Sequence, residues 1–263
     1  MSIPSKFSQR FRFAAKLSSI HLLISFTIAA LMAALVFFVW YKYPYMHILG
    51  GLELFFLVCS VDVVCGPLMT LILANPKKSK RETILDFSII AIIQIAALLY
   101  GMHTVYVARP VYYAFDVDRF TTVTAAELTE LAKPEDMAKA PKELQSLPKL
   151  GAKPIALYWD ASNVDPEKVF ITMVARPEHW QIYDKTAETA KVRDVMKPVA
   201  TLYTNVNNRN KKQIIDKAIQ KTNIPSDKLY YLPFTCDKNT EWSALLNENG
   251  EIVGYVDADG FND

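Results

Sequence analysis

Two carboxylates stand within or beside long apolar stretches of this sequence, and paired carboxylates inside a membrane could do acid–base chemistry. Asp62 and Asp86 would have to share a proton, as the two aspartates of an aspartic protease do. With about 1.5 Å of rise per helical residue, however, the two positions differ in depth by about 13 Å. The chain also contains no Gly-x-Gly-Asp motif. The spacing therefore argues against proteolysis, and we expect no catalytic residues.

Other candidate ligands and nucleophiles are too sparse to predict a metal or cofactor site. Cys59 and Cys65 are six residues apart, about 240° around a helix, so they would not face the same ion. His179 has no second histidine or cysteine at metal-ligand spacing, and the tail from Asp257 departs from a calcium loop because its glycine follows the second aspartate directly. The chain contains no P-loop, nucleophile elbow or GxGxxG motif. We therefore expect no metal, no cofactor and no enzyme, and Cys236 as either a buried free thiol or a target of intermolecular oxidation.

Composition divides the chain into two unlike halves. Its 263 residues are 51% hydrophobic and 21% charged, with a net charge of +2 and a mean hydropathy of +0.12. The first 109 residues hold ten Lys or Arg against four Asp or Glu, whereas the remaining 154 hold nineteen against twenty-three. Abundant aromatic and branched residues exclude a disordered chain, and three cysteines exclude a disulfide-dense secreted scaffold. Nothing in the composition indicates nucleic-acid binding.

Three apolar stretches predict three transmembrane helices. Residues 17–41 carry no formal charge, residues 54–76 carry only Asp62, and residues 87–108 carry none. About 20 apolar residues span a hydrocarbon core of about 30 Å. Buried core helices are usually shorter, and a signal peptide would end in small residues rather than in an aromatic run. The predicted helices are at about 17–41, 48–75 and 84–108, within a membrane domain of residues 17–109.

Basic residues around these helices predict their orientation. Eight lysines and arginines flank one side of the three helices, whereas only Lys42 and Arg109 flank the other. Cytoplasmic loops carry the excess of cations, so we expect segment 1–16 and loop 75–83 in the cytoplasm and residues 110–263 outside it. An aromatic belt is expected at the outer boundary, formed by Trp40, Tyr41, Tyr43, Tyr45, Tyr100 and Tyr106.

Small and polar residues form one face of the second predicted helix. Asp62, Gly66 and Thr70 recur at steps of four, so they lie at similar angles around the helix, and a carboxylate in the bilayer is costly and tends to mark function. Counting about 1.5 Å per residue puts Asp62 about 21 Å and Gln94 about 20 Å from the cytoplasmic boundary, which predicts a hydrogen bond between them. The same count predicts a contact between His21 and Asp86.

This polar face has two interpretations. Small residues let transmembrane helices approach closely, and polar residues bond across the contact, so the face could serve only to hold the three helices together. In the other interpretation Asp62, Gly66, Thr70 and Gln94 form a partner-binding groove for the helix of another protein. The residues alone leave both interpretations open.

The half after residue 110 predicts an extracytoplasmic α+β domain of residues 110–263. Alternation and turn signals predict strands, the Asn249-Gly250 pair predicts a hairpin, and Thr124 with Glu127 forms a capping box. Apolar residues at helical spacing predict helices. The predicted strands are 111–117, 120–124, 155–159, 169–174, 229–235, 241–246 and 251–256, and the predicted helices are about 125–131, 184–195 and 210–222.

Several motifs together resemble those of the TfpX/TfpZ type IV pilin accessory proteins. The resemblance covers the apolar half closely and the outer half at both ends, while segment 133–222 matches nothing in that family. The motifs are HLLIS at 21–25, FVWY at 38–41, VDVVCGPLMTLI at 61–72, NPKK at 75–78, QIAAL at 94–98, ARPV at 108–111, DRF at 118–120, LYYLP at 229–233 and WSALL at 242–246.

The resemblance implies an inner-membrane protein of Gram-negative bacteria with a cytoplasmic N-terminus and a periplasmic C-terminal domain. Such a chaperone-like factor would stabilise the major type IV pilin or assist its assembly into pili, and the family has no catalytic residues to carry over. Expected partners are the major pilin, other pilus assembly proteins and the lipid bilayer. Two alternatives stay open: a membrane-anchored sensor with a periplasmic ligand-binding domain, and a structural component of the pilus machine.

Overall fold

The chain divides into two units of different architecture. The helical unit comprises Met1–Val39 and Gly50–Val107, and the sheet unit comprises Trp40–Leu49 and Ala108–Asp263. The segment Trp40–Leu49, which we name the strap, therefore groups with the residues after 107 rather than with the helices that precede and follow it. The computed structural model describes residues 6–158, 172–204, 206, 209–237 and 239–261.

Three long helices dominate the first half of the chain. They are α1 (Lys6–Leu35), which a π-helical turn at Val36–Trp40 continues, α3 (Gly51–Leu73) and α4 (Lys80–Val107), while the short α2 (Tyr45–Ile48) belongs to the strap. All three are long and apolar enough to cross a membrane. Many of their large apolar side chains, such as Leu57, are exposed within the helical unit, as a lipid-facing surface requires.

The predicted helices are present, with one marked difference in their bounds. The second and third predicted helices match α3 and α4 to within a few residues, but α1 begins at Lys6, well before the predicted start at residue 17. The apolar stretch begins only after Arg10, Arg12 and Lys16. Arginine and lysine are nevertheless good helix formers. The charged residues therefore limit the apolar stretch without ending the helix.

Within the helical unit, α3 packs against both α1 and α4. Gly101 of α4 lies so close to Val58 that an added Cβ would overlap it, which is how small residues bring membrane helices together. On the other side of α3, the Ser18 hydroxyl donates to the Pro67 carbonyl at 2.8 Å. These contacts make α3 the central helix of the three.

The connection between α3 and α4 is fixed by local hydrogen bonds. The Ser79 N–H donates to Glu82 Oε2 at 2.9 Å, and the Glu82 N–H donates to Ser79 Oγ at 3.3 Å. Lys78 forms an ion pair with Asp86 at 2.5 Å. The predicted contact between His21 and Asp86 is therefore wrong, because Asp86 is paired with the loop lysine next to its own helix.

The sheet unit is built on one mixed sheet. The strands of the unit are β1 (Pro110–Asp116), β2 (Arg119–Thr124), β3 (Lys153–Pro154), β4 (Ala156–Leu157), β5 (Trp180–Gln181), β6 (Lys197–Pro198), β7 (Tyr230–Cys236), β8 (Asn239–Leu246) and β9 (Ile252–Val256). The strand order in the mixed sheet is β3-β1-β2-β7-β8-β9, with β6 also paired to β7, while β4 and β5 form a separate pair. The β1–β3 and β2–β7 pairings are parallel and the others are antiparallel.

Short helices cover this sheet. They are α5 (Ala125–Leu131), α6 (Pro134–Met137), α7 (Lys185–Val195) and α8 (Arg209–Thr222). The capping box between Thr124 and Glu127 is confirmed at the start of α5, and Asp184 caps α7 by accepting from the Thr186 and Ala187 N–H groups. In α8 the side chains of Ile215 and Ile219 are buried, as the apolar spacing predicts.

Two apolar cores lie in the sheet unit. One packs β1, β2 and α5 around Tyr112 and Trp180, whose rings are 4.8 Å apart. The other packs α8 against β7, β8 and β9 through Ile215, Leu245 and Val256. Each core covers one region of the sheet.

Two predicted strands differ from the structure. The part of 169–174 that the structure describes enters a 3₁₀ turn, Met173–Ala175, and the preceding residues 159–171 lie outside the described residues. Of the predicted strand 155–159, the described residues form only the two-residue β4, and β3 lies just before this range. Val174 and Ala175 are buried, so burial in the first core explains this apolar run, and burial alone does not distinguish a strand from a turn.

The strap packs into the sheet unit through its aromatic side chains. Tyr41, Tyr45 and Ile48 are buried, and the Tyr45 ring lies 6.0 Å from that of Phe234. The Cys236 thiol is buried, forms no disulfide among the described residues, and donates a hydrogen bond to the Ile48 carbonyl at 3.5 Å. The predicted aromatic belt is therefore wrong for Tyr41 and Tyr45, because both side chains are buried, whereas rings at a membrane boundary would be exposed.

Candidate partner-binding groove

A groove runs between α1 and α4, with α3 as its floor. It encloses about 220 Å³, and we name it the α1–α4 groove. Its walls are mostly apolar or small, and its floor carries Cys59 and Asp62. The residues that line it are His21, Ile24, Ser25, Ile28 and Ala29 from α1, Cys59 and Asp62 from α3, and Ala91, Gln94, Ile95 and Leu98 from α4.

A chain of hydrogen bonds joins the three helices at one end of this groove. His21 Nε2 lies 2.7 Å from Gln94 Oε1, and His21 Nδ1 lies 2.6 Å from Thr70 Oγ1. The Gln94 amide donates to the Asp62 backbone carbonyl at 3.1 Å. Because the amide oxygen can only accept, the imidazole donates through Nε2, and a neutral ring then accepts the Thr70 hydroxyl at Nδ1.

The predicted bond between Asp62 and Gln94 is present in altered form. Gln94 reaches the main-chain carbonyl of Asp62, not its carboxylate. In the part of the chain that the structure describes, the Asp62 carboxylate makes no hydrogen bond and lines the α1–α4 groove. The groove therefore contains a polar group that could bond to an incoming side chain or main-chain group.

Gly66 and Thr70 support the groove without lining it. Gly66 lies directly beside the Gln94 amide, where an added Cβ would overlap the side chain. Thr70 is fully buried and bonds to His21. Of the four candidate residues, Asp62 and Gln94 thus face the groove, while Gly66 and Thr70 hold Gln94 and His21 in position.

His21 is the residue that sequence reasoning placed with the wrong partner. Depth counting from the first charged residue assigned it to the membrane boundary, yet it bonds to Gln94. Because α1 starts at Lys6, the charged residues before residue 17 do not mark the end of the helix. The sequence does contain a signal for this wall, because His21, Ser25 and Ala29 recur every four residues on one face of α1, and all three line the groove.

The chemistry of this groove suits binding between helices. Buried side-chain hydrogen bonds and close packing at small residues are the contacts by which membrane helices associate. Among the described residues, no group of three or more His, Cys, Asp or Glu side chains could hold a metal ion. The arrangement offers one carboxylate in an apolar groove and a hydrogen-bonded wall beside it.

Comparisons with known proteins identify relatives over nearly the full chain. A family model described as fimbrial assembly protein FimB matches residues 9–50. The fimbrial assembly protein of serogroup I from Dichelobacter nodosus is 37% identical over 260 residues, which cover 96% of this chain and 98% of that protein. The serogroup E1 protein of the same organism is 36% identical over 259 residues, with the same coverage of both chains.

Shorter relatives match part of the chain more closely. The fimbrial assembly protein of Dichelobacter nodosus serogroups C1 and C2 is 52% identical over 120 residues, which are 46% of this chain and 92% of that protein. No solved structure gives a significant match. The narrower TfpX/TfpZ assignment stays a prediction. Because more than a third of the residues are identical across nearly the whole of two relatives, this chain belongs to the fimbrial assembly protein family.

Proposed function

We propose that this protein is an accessory factor of type IV pilus biogenesis that stabilises the major pilin or assists its assembly. The names of its full-length relatives, which are fimbrial assembly proteins, support a role in making pili. The observation that carries the finer proposal is the α1–α4 groove with its unbonded Asp62 carboxylate. A chaperone-like role for a membrane-anchored subunit needs such a site, and no catalytic step is part of the proposal.

The proposal includes a topology. The three long helices cross the inner membrane, with residues 1–16 and 75–83 in the cytoplasm and residues 110–263 in the periplasm. The cation asymmetry around the helices and their length and hydropathy support this orientation. The helical unit then meets the apolar anchor of the pilin, while the sheet unit is available to its periplasmic part.

In the proposed mechanism the pilin helix lies in the α1–α4 groove. The small side chains Ser25 and Ala29 let it approach α1 closely. Asp62 bonds to a polar group of that helix, which would otherwise be unsatisfied in lipid. The bonds from His21 to Thr70 and Gln94 fix the groove walls before the pilin arrives, so little ordering is needed on binding.

The first experiment deletes the gene and measures pilin by immunoblot, with its transcript measured alongside. Normal transcript with depleted pilin supports a stabilising factor, and normal pilin in cells without pili moves the role to assembly. Unchanged pilin with normal pili would contradict the proposal and favour the sensor alternative. A pilus-machine component would instead co-fractionate with that complex in fixed stoichiometry.

Asp62→Leu tests the groove itself. We expect pilin protein to fall several-fold, the size of abundance change that a loss of about 1–2 kcal/mol of stabilisation causes. Val64→Leu is the matched control, since Val64 is on the same helix, is exposed and does not line the groove. Both variants should accumulate to the wild-type level, and unchanged pilin and piliation with Asp62→Leu would contradict the groove mechanism.

A further inference from the structure

The outer edge of β9 is an open strand edge in the sheet unit. β9 stands at one end of the sheet and pairs with β8 on one side, and the structure gives it no strand partner on the other side among the described residues. An open edge presents unpaired N–H and C=O groups, which are a template for another strand. Proteins usually cover such an edge or shorten it.

A groove follows this edge along its whole length. Two adjoining cavities of about 600 and 450 Å³ share Tyr113, Ile252 and Val253, and together they run from Gly250 to Asp257. We name the two together the β9 groove. The pairing of β9 with β8 skips Val253, so a bulge lies there, and Val253 lines both cavities. Bulges re-aim side chains in this way.

The two walls of the β9 groove differ in chemistry. One wall is α8, which contributes Ile214, Ala218, Lys217 and Lys221. The other wall is aromatic and is formed by Tyr43, Tyr113, Trp242 and Tyr255. An extended segment places alternate side chains on opposite sides, so it could set one row of side chains against the lysines and the other against the aromatic rings.

The lysines of the α8 wall are not paired with carboxylates among the described residues. Lys217 and Lys221 are exposed and form no ion pair in the part of the chain that the structure describes. Two carboxylates line the β9 groove near α7, and both are already paired. Glu251 pairs with Lys185, and Glu188 pairs with Lys191. α8 itself carries five Lys or Arg and one Asp, in a half of the chain that is acidic overall. Among the described residues that line the cavity beside α8, the one carboxylate is Asp257, at the far end.

One contact shows that the main chain of β9 accepts hydrogen bonds from outside the sheet. The Tyr43 hydroxyl, from the strap, donates to the Tyr255 carbonyl at 3.1 Å. This bond caps one end of β9, near Asp257. The groove beyond it, towards Ile252 and Val253, is lined by the open edge.

We propose that the β9 groove binds an extended acidic segment of a partner protein, which adds to β9 as a further strand with its carboxylates facing Lys217 and Lys221. Main-chain hydrogen bonds supply affinity in this mode, and the pockets for alternate side chains supply specificity. The inference goes beyond the proposed function, because it concerns the sheet unit and requires no contact in the α1–α4 groove.

The test measures peptide binding to the full chain in detergent micelles by fluorescence anisotropy. The probe alternates valine and glutamate and is about nine residues long, a common strand length. A second peptide has lysine in place of glutamate, and a third is the acidic peptide with every other amide N-methylated, which removes main-chain donors. The protein variants are the wild type, the double variant Lys217→Glu/Lys221→Glu, and Lys212→Glu, an exposed charge reversal on the same helix outside the groove.

We expect the acidic peptide to bind the wild type, and the double variant to weaken that binding at least about tenfold, since it replaces two attractions by two repulsions. Lys212→Glu should change binding by less than about twofold, because rim charges contribute little. The double variant should prefer the lysine peptide, a reversal that misfolding cannot produce. The N-methylated peptide should bind at least about tenfold more weakly than its parent, as loss of several hydrogen bonds requires.

Three results would overturn the inference. The first is no binding of the acidic peptide, or equal binding to all three protein variants. The second is equal binding of the N-methylated and parent peptides, which would exclude strand addition. The third is a concentration-dependent dimer that the double variant abolishes and the acidic peptide does not, which would assign the groove to a second copy of this chain.

Discussion

At the scale of single residues, one imidazole organises the helical unit. His21 accepts from Thr70 and donates to Gln94, and Gln94 in turn donates to the Asp62 carbonyl. In an apolar surrounding, a helix shifted by one residue would leave these polar groups without partners. The hydrogen-bond chain therefore specifies the relative register of the three helices as well as adding to their association.

Gly66→Ala tests the close approach that this chain of bonds requires. The added Cβ would overlap the Gln94 amide, so Gln94 must move and lose its bond to His21. Overpacking of this kind typically costs about 1–3 kcal/mol. We expect a lower midpoint of thermal unfolding for the purified protein in detergent, measured by the circular dichroism signal of its helices.

Cys65→Ala is the matched control for this variant, since Cys65 is next to Gly66 and exposed. It should leave the midpoint unchanged. A Gly66→Ala protein as stable as the wild type would mean that Gln94 is not held as the structure has it.

The sequence predicted the members of this site better than their contacts. Asp62 and Gln94 could be brought together by depth alone, because both lie on uninterrupted helices of known rise. The partner of His21 could not be predicted from depth, since depth determines neither the rotation of α1 nor its shift along α3. Those depend on packing at Ser18 and Gly101. The repeat that includes Gly66 marks a face of α3 but does not show which side chain packs against it.

At the scale of elements, the β1–β2 hairpin carries backbone strain. Its turn places Val117 at a φ of 58°, in the left-handed region, with 77% of the side chain exposed. A β-branched residue is unfavourable there, whereas two-residue hairpin turns commonly use glycine. Nothing in the burial of Val117 offsets this cost.

Val117→Gly should therefore stabilise the sheet unit. A residue with a side chain pays about 1–2 kcal/mol for the left-handed conformation, and glycine removes this cost. The greater freedom of glycine in the unfolded chain offsets part of that gain. We expect the free energy of unfolding to rise by about 0.5–1 kcal/mol, measured by denaturant titration with tryptophan fluorescence. Val117→Ala keeps the strained backbone and should give no gain, and an equal gain with alanine would contradict the explanation.

Elements with a strong local pattern were predictable, and those defined by their neighbours were not. The α8 helix follows from its apolar spacing and α5 from its capping box. The turn Met173–Ala175 has the same apolar composition as a buried strand, but no strand pairs with it in the described residues, and Val174 is buried in the first core. Tertiary packing, which a single sequence does not display, decides between these outcomes.

At the scale of the whole molecule, the sheet unit is made from two separate parts of the chain. The strap enters it before α3, and the remainder follows after α4. Tyr45 and Ile48 are buried in it, and the Tyr43 hydroxyl bonds to Tyr255. Composition had divided the chain at a single point near residue 109, because hydropathy averaged over a long stretch does not detect ten residues that pack elsewhere.

Tyr45→Ala should show how much the strap contributes to the sheet unit. Truncating a large buried aromatic side chain costs about 3–5 kcal/mol, so we expect a markedly lower midpoint in denaturant. Tyr43→Ala is the control on the same segment, because that side chain is 53% exposed and should cost much less. Equal losses in the two variants would mean that the strap does not pack as described.

The divided origin of the sheet unit has a consequence for exchange of sequence between relatives. A chimaera that takes only residues after 107 from another fimbrial assembly protein would combine a foreign sheet with a native strap. Tyr45 would then meet an unmatched residue where Phe234 stands, and the carbonyl of Ile48 would lose Cys236. We therefore expect residues 40–49 and 108–263 to behave as one functional block although α3 and α4 separate them, and substitutions in the two parts to accompany each other across the family.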